Sequence, residues 1–239
     1  METTPQTEQF LEENATIVHQ PIFTASVVAL DFDLVTSDPS KSRADEIKVL
    51  LVKNKKPPKK SKEGKPPGIG VPTGQFESKE TALSAAEREM EDETGCLMRR
   101  VVGKLFIVHK RLRIDGNIVP NEIHIFLVEA SEPIRKVRET DEIDASFEPW
   151  VPLRQVFEMP LAQGGGSNKN PNGIYFSHLQ RLYTAIESMV FYPEDLIEGE
   201  AIKQWLKPNR RHLVAAMNDL EKAGLLERFL PQNELEVAG

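Results

Sequence analysis

From Phe23 to Phe32 the chain reads FTASVVALDF, a short, β-branched and largely apolar run, and EIKVLLVKN from Glu46 to Asn54 repeats that character. Both runs predict strands. The intervening TSDPSKSRAD is turn-forming, so the two can pair as a hairpin with a long connection. A helix is predicted over about Lys79 to Thr94, with Leu83, Ala86 and Met90 at core spacing. Strands follow at Val101 to Arg113 and Glu122 to Glu129, and Asp115-Gly116-Asn117 between them marks a hairpin. Pro149-Trp150-Val151-Pro152-Leu153 reads as a short strand entering a helical turn, and Gln163 to Gly173, QGGGSNKNPNG, as a loop. Three helical segments come last, near Ser177 to Val190, Pro193 to Leu206 and Asn209 to Ala223, the first with Leu179, Leu182, Tyr183 and Ile186 at core spacing. Strands mixed with helices, without regular βαβ alternation, indicate a mixed α/β class. There is no internal repeat. Residues 1 to about 20 are polar and read as a poorly ordered lead-in.

The length of 239 residues fits one generous domain or one domain with an appendage, and a 39% hydrophobic share is enough for a packed core. Charges interrupt the apolar runs too often for a membrane span of about 20 residues. The start METTPQTEQFLEENATIVHQ has neither the basic, apolar pattern of a secretory signal nor the composition of a transit peptide, so a cytoplasmic location is expected. The single cysteine, Cys96, excludes an internal disulfide and a multi-cysteine zinc site. A net charge of −7 disfavours binding to nucleic-acid backbones but leaves room for a small phosphorylated substrate held through a metal. Against that average stands KNKKPPKKSKEGKPPG, with seven lysines from Lys53 to Lys65 among four prolines, an exposed loop. It is either a solvated insertion or a source of cations, such as Lys53, Lys55 and Lys65, that touch a polyphosphate.

The chemistry concentrates in GQFESKETALSAAEREMEDETGC, Gly74 to Cys96. On a helix Glu89, Asp92 and Glu93 stand at i, i+3 and i+4, so their carboxylates share a face and repel one another. A solvated acidic surface is one reading. The other is a site for a hard divalent cation, Mg²⁺ or Mn²⁺, which would turn the repulsion into coordination.

The spacing of Gly74, five residues, Glu80, seven residues, then Arg88-Glu89-Met90-Glu91-Asp92-Glu93-Thr94-Gly95-Cys96 resembles the box of the Nudix hydrolase family. The likeness extends over about Ile22 to Met189. It implies an α/β/α sandwich around a mixed sheet in a domain over residues 21–190, and metal-dependent hydrolysis of a diphosphate linkage in a nucleoside diphosphate derivative or related organic pyrophosphate. By the same resemblance Glu89, Asp92 and Glu93 are the metal ligands, and Arg88 orients the carboxylates. Glu80 supports their loop, and Gly74 and Gly95 let the chain turn at either end of the helix. The general base is Glu89, or a residue of the later loop RETDEID, of which Glu142 is the candidate beside Glu139, Asp141 and Asp144. Two positions depart from the family pattern: Asp92 stands for a glutamate, and Thr73 for the first of two glycines.

Residues 191–239 form a helical extension. Pro208-Asn209-Arg210-Arg211 starts a helix that Gly224 ends, and a winged helix sets such arginines against DNA. The alternative function is therefore a Nudix-related transcriptional regulator that senses a nucleotide sugar. Residues 200–239 carry six basic and six acidic residues, a poor balance for DNA, so a helical packing or homodimer element is the preferred reading. His212 and Trp205 read as packing or surface residues.

Overall fold

Strand β1 (Ile22–Asp31) sits in the middle of the fold, and its alternation explains why. Successive side chains of an extended chain point to opposite faces. Ala25, Val27 and Ala29 enter one core with Ala85, Ala86, Met90 and Phe126. Val28 and Leu30 enter a second, larger core on the other face. The structure is a computed structural model that describes residues 20–32, 35, 41–55, 67–114, 117–134, 137, 143–162 and 170–229.

A mixed six-stranded sheet forms around β1. Its other strands are β2 (Lys48–Leu50), β5 (Thr73–Gln75), β6 (Met98–Ile114), β7 (Asn117–Ala130) and β8 (Trp150–Pro152), in the order β6-β7-β1-β2-β8 with β5 also on β1. β1 and β7 run parallel from Ile22↔Asn121 to Ala29↔Val128; the remaining pairings are antiparallel. The two expected hairpin partnerships, β1 with β2 and β6 with β7, are both formed. β3 (Val52–Asn54) and β4 (Gly68–Gly70) make a separate two-stranded ladder.

One helix, α2 (Ala82–Thr94), covers the first face of the sheet. The other face is covered by α3 (Leu153–Glu158), α4 (Phe176–Phe191), α5 (Gly199–Leu206) and α6 (Arg210–Lys222). The result is an α/β/α sandwich. Ile202, Leu206, Leu213, Ala216, Met217 and Leu220 of the last two helices lie in the same core as Val49 and Leu51. At the other end of the chain a single turn, α1 (Arg43–Glu46), packs on α6. Asp219 Oδ2 accepts both the Arg43 backbone N–H (2.8 Å) and the Ser42 hydroxyl (2.9 Å). Beyond Phe191 the described residues hold helices and no strand. No helix among the described residues is long and apolar enough to cross a membrane.

Four expectations are corrected. The single strand expected over Glu46 to Asn54 is two short ones in different sheets: the Leu51 N–H to Pro149 O bond (2.8 Å) carries the β2–β8 register to its end, and from Val52 the chain pairs with β4 instead. The helix expected from Lys79 begins at Ala82: Lys79 has φ 73°, and Thr81 caps the helix through a reciprocal pair of bonds with Ser84. Leu83, placed in the core by spacing, is exposed; Ala85, Ala86 and Met90 form the buried face instead. The helix expected from Pro193 is interrupted after a 3₁₀ turn at Pro193–Asp195, where the N–H groups of Ile197 and Glu198 bond Leu105 O and Lys104 O on β6. The turn residues Asp115 and Gly116 and most of the Gln163 to Gly173 loop lie outside the described residues.

Candidate functional site

The segment from Thr73 to Cys96 forms β5, a turn and α2, and its polar groups are closely interlocked. Arg88 on α2 grips Glu80 with a fork: Nε donates to Oε1 at 2.7 Å and Nη2 to Oε2 at 2.9 Å. Nη2 also reaches Gln75 O (2.9 Å), and Nη1 donates to Glu89 Oε1 at 2.6 Å. The guanidinium, followed by the Glu77 backbone N–H, holds the Glu80 carboxyl down to about 2. The same hydrogen bonds raise the Arg88 pKa. Glu80 thus ties the turn before the helix to its second turn, and Arg88 fixes the direction of the Glu89 carboxylate.

Gly74 is constrained by space. It lies in a strand, opposite Ala25, and is not among the glycines with positive φ. A Cβ built on it would come closer than 3.0 Å to Cδ and both carboxylate oxygens of Glu89. The turning role expected of Gly74 is therefore replaced by a steric one: the strand backbone and the Glu89 carboxylate lie directly against each other. Gly95 is different, since it ends α2 with φ 72° in the left-handed region.

Glu93, one turn beyond Glu89, is 9% exposed, and its Oε2 accepts the Thr73 backbone N–H at 3.0 Å. The Thr73 hydroxyl donates to Val71 O (3.0 Å) and receives Ser26 Oγ at 2.7 Å. A threonine in place of glycine is accommodated because extended β5 suits a β-branched residue and gives its hydroxyl two partners. Asp92 is partly exposed.

Tyr175, at the start of α4, and Asn54, at the end of β3, join this region, and sequence reasoning missed both. Asn54 Nδ2 donates to Tyr175 Oη at 3.4 Å. The Tyr175 ring lies against Gly68, where a Cβ would meet Cε1 at 2.7 Å. Burial pushes the Tyr175 phenol pKa up, and the charge of Glu93 adds to the effect. His178, one turn along α4, lies against Gly70. These residues come from distant parts of the chain, and no spacing connects them.

Of the lysines, Lys53 pairs with Asp144 at 3.2 Å, and Lys55 is partly exposed. Asp144 also accepts the Ser146 hydroxyl (2.6 Å), and that bond, above all, lowers its pKa. Lys65, Glu139, Asp141 and Glu142 lie outside the described residues.

Among the described residues no three His, Cys, Asp or Glu groups converge closely enough to hold a metal by themselves. The donors nonetheless suit a hard cation. Glu89 and Glu93 offer carboxylates on successive turns, beside a strand position where a Cβ would displace one of them. Mg²⁺ typically takes only one or two protein carboxylates, with water and substrate phosphate completing its shell.

The NUDIX domain family model matches residues 36–169, more than half of the chain. The chain belongs to the Nudix family. Its enzyme class is accordingly that of the Nudix hydrolases. Solved structures with which this Nudix protein shares similarity include a NUDIX hydrolase from Nitrosomonas europaea, at 18% identity, covering 70% of this chain and 90% of that one with a TM-score of 0.45. A MutT NUDIX hydrolase from Burkholderia pseudomallei matches at 19% identity, over 69% of this chain and 98% of that one, TM-score 0.42. The NUDIX domain of Shewanella oneidensis NrtR, complexed with ADP ribose, matches at 18% identity, over 78% and 99%, TM-score 0.42. No curated protein matches. The Nudix assignment rests on the domain match and the box, not on these distant likenesses.

Proposed function

We propose that this Nudix protein hydrolyses a diphosphate linkage in a nucleoside diphosphate derivative or a related organic pyrophosphate, using Mg²⁺ or Mn²⁺. The observation that carries the reading is the fixing of Glu89: Arg88 holds its carboxylate from one side and the Gly74 backbone lies against it from another. In the proposed arrangement Glu89 and Glu93 hold the cation, with Asp92 contributing directly or through water. A bound Mg²⁺ would polarise a phosphoryl oxygen and lower the pKa of an attacking water. Glu89 then takes the proton from that water, with Glu142 as the alternative base. Arg88 keeps Glu89 oriented throughout. The Thr73 N–H, bonded to Oε2 of Glu93, holds that carboxylate beside β5.

The regulator reading requires Arg210 and Arg211 to face DNA. Arg210 Nη2 instead donates to Val190 O at 2.6 Å and closes the end of α4, which favours the hydrolase. The test is product chromatography over a panel of nucleoside diphosphate derivatives with Mg²⁺, comparing wild type with Glu93→Gln. Loss of a ligand should cost at least the roughly 10–100-fold that outer-shell partners cost. No turnover on any substrate, or a Glu93→Gln variant as active as wild type, refutes the proposal.

A further inference from the structure

Arg181 on α4 is 8% exposed, and its Nε and Nη1 are sealed from solvent without a hydrogen-bond partner. No ion pair to it occurs among the described residues. Burial brings its guanidinium pKa down to about 10, and no carboxylate among the described residues offsets the effect. Its near neighbour in charge is Lys110 on β6, whose ammonium pKa is lowered first by burial and then by Arg181. A folded chain rarely keeps an arginine this buried without a counter-charge, because an unpaired buried charge is strongly destabilising, and the partly exposed Lys110 adds a second positive charge rather than a negative one. A bound anion would complete the set.

The position of this pair says which anion. His178 and Arg181 stand three residues apart on α4 and so share a face. His178 lies against Gly70 of β4, the strand that leads through Val71 and Pro72 into Thr73 and Gly74. On the sheet, Lys110 is paired with Asn121, so both side chains project from the same face. Asn121 Oδ1 accepts the Thr24 hydroxyl at 2.9 Å, and Ser26, two residues on, bonds Thr73 at 2.7 Å. A polar lane therefore runs from Thr73 through Ser26, Thr24 and Asn121 to Lys110, across a face that is otherwise lined by Val28, Leu30, Ile123 and Ile125. It joins the Nudix box to Lys110 and the buried Arg181.

We propose that Arg181 and Lys110 bind an oxyanion at the distal end of the substrate, a phosphate or carboxylate separate from the diphosphate at the Nudix box. The planar guanidinium presents the fork that such a group accepts. The substrates favoured are thus organic pyrophosphates with a second anionic group. Naming the ligand as substrate rests on the hydrolase reading; the anion site itself does not.

The experiment follows the thermal midpoint of the full chain in chloride buffer with EDTA, which keeps phosphate off any metal at the box. Inorganic phosphate and acetate are titrated at matched ionic strength. For the anion that fits, Tm rises with the logarithm of its concentration, by about 5–11 °C at one hundred times Kd. A rise with phosphate alone assigns a phosphoryl group, and with acetate alone a carboxylate. Arg181→Met loses the rise and is at least as stable as wild type in chloride, since it removes an unpaired buried charge. Lys110→Met moves the titration to roughly tenfold higher concentration. A flat wild-type response to both anions overturns the proposal, as does an undiminished rise in both variants. So does an Arg181→Met chain that is unfolded or less stable than wild type in chloride, because Arg181 is then structural. Glu93→Gln keeps the anion response; if wild type hydrolyses nothing yet responds, the hydrolase reading fails and the anion site stands.

Discussion

Substituting Gly74 with alanine separates site geometry from stability. The new Cβ would come closer than 3.0 Å to the Glu89 carboxylate, whereas carbon contacts settle at roughly 3.5–4.0 Å. The carboxylate, the far end of a flexible side chain, must therefore retreat by at least about 0.5–1 Å. That movement breaks the 2.6 Å bond from Arg88 to Glu89, a partly exposed pair worth about 0.2–1 kcal/mol. Gly74 already has a backbone open to alanine, and the smaller entropy of the unfolded variant returns about 0.4–1 kcal/mol. The two effects nearly cancel, so Tm should move by no more than roughly 4 °C. Hydrolysis should suffer far more, because a misplacement of about 1 Å can cost on the order of 10²-fold. The assays are differential scanning calorimetry and steady-state product release with Mg²⁺. Gly74→Ala combined with Glu89→Gln should be little slower than Glu89→Gln alone, since both changes remove the same carboxylate. The reasoning is refuted if Gly74→Ala keeps wild-type kcat. It is refuted equally if Tm collapses, for then the strand backbone and not Glu89 would have yielded.

Three further outcomes are expected. Ionised Glu80 has a folded pKa near 2, below its ordinary 4.5, so its stabilisation is complete above about pH 4.5 and drains away as pH falls toward 2; Glu80→Gln should flatten Tm against pH in that window, and an unchanged acid limb would count against the Arg88 fork. Asp219→Ala removes the acceptor for Ser42 and for the first N–H of α1, and should cost about 1 kcal/mol in denaturant unfolding. Cys96 is fully buried and its thiol pKa is raised mainly by that burial, so a thiol reagent at neutral pH should leave the native protein unmodified and label it only in denaturant.

What the sequence revealed follows the range of the forces involved. The Nudix box was legible because its groups meet within one helix and its flanking turns: Arg88 finds Glu80 eight residues away. The two strand pairings were legible because alternating apolar runs were separated by turn residues. The break after Leu51 was not, since it arises from a change of partner, from β8 nearly a hundred residues on to β4. Nor were Tyr175, Asn54 and Arg181, whose surroundings exist only once α4 lies on the sheet. Gly74 was found for the wrong reason: a glycine suggests a turn, and only the folded neighbour Glu89 reveals a steric demand. Leu83 shows the opposite error, as apolar spacing assigned to the core a side chain that faces solvent.

The bond from Ser42 to Asp219 joins residues 177 apart in sequence, and it bears on how the protein is made. A chain emerging from the ribosome completes β1 and β2 early, yet the helix that packs on α1 and supplies Leu213, Met217 and Leu220 to the core shared with Val28 and Val49 follows only after the whole of the Nudix box and sheet. Closing so long a loop is an entropic cost met late, which slows folding of such topologies. Until α6 docks, that face of the sheet is only partly covered, the kind of apolar surface that chaperones hold. Docking of α5 and α6 thus decides when the core begun by β1 and β2 is closed.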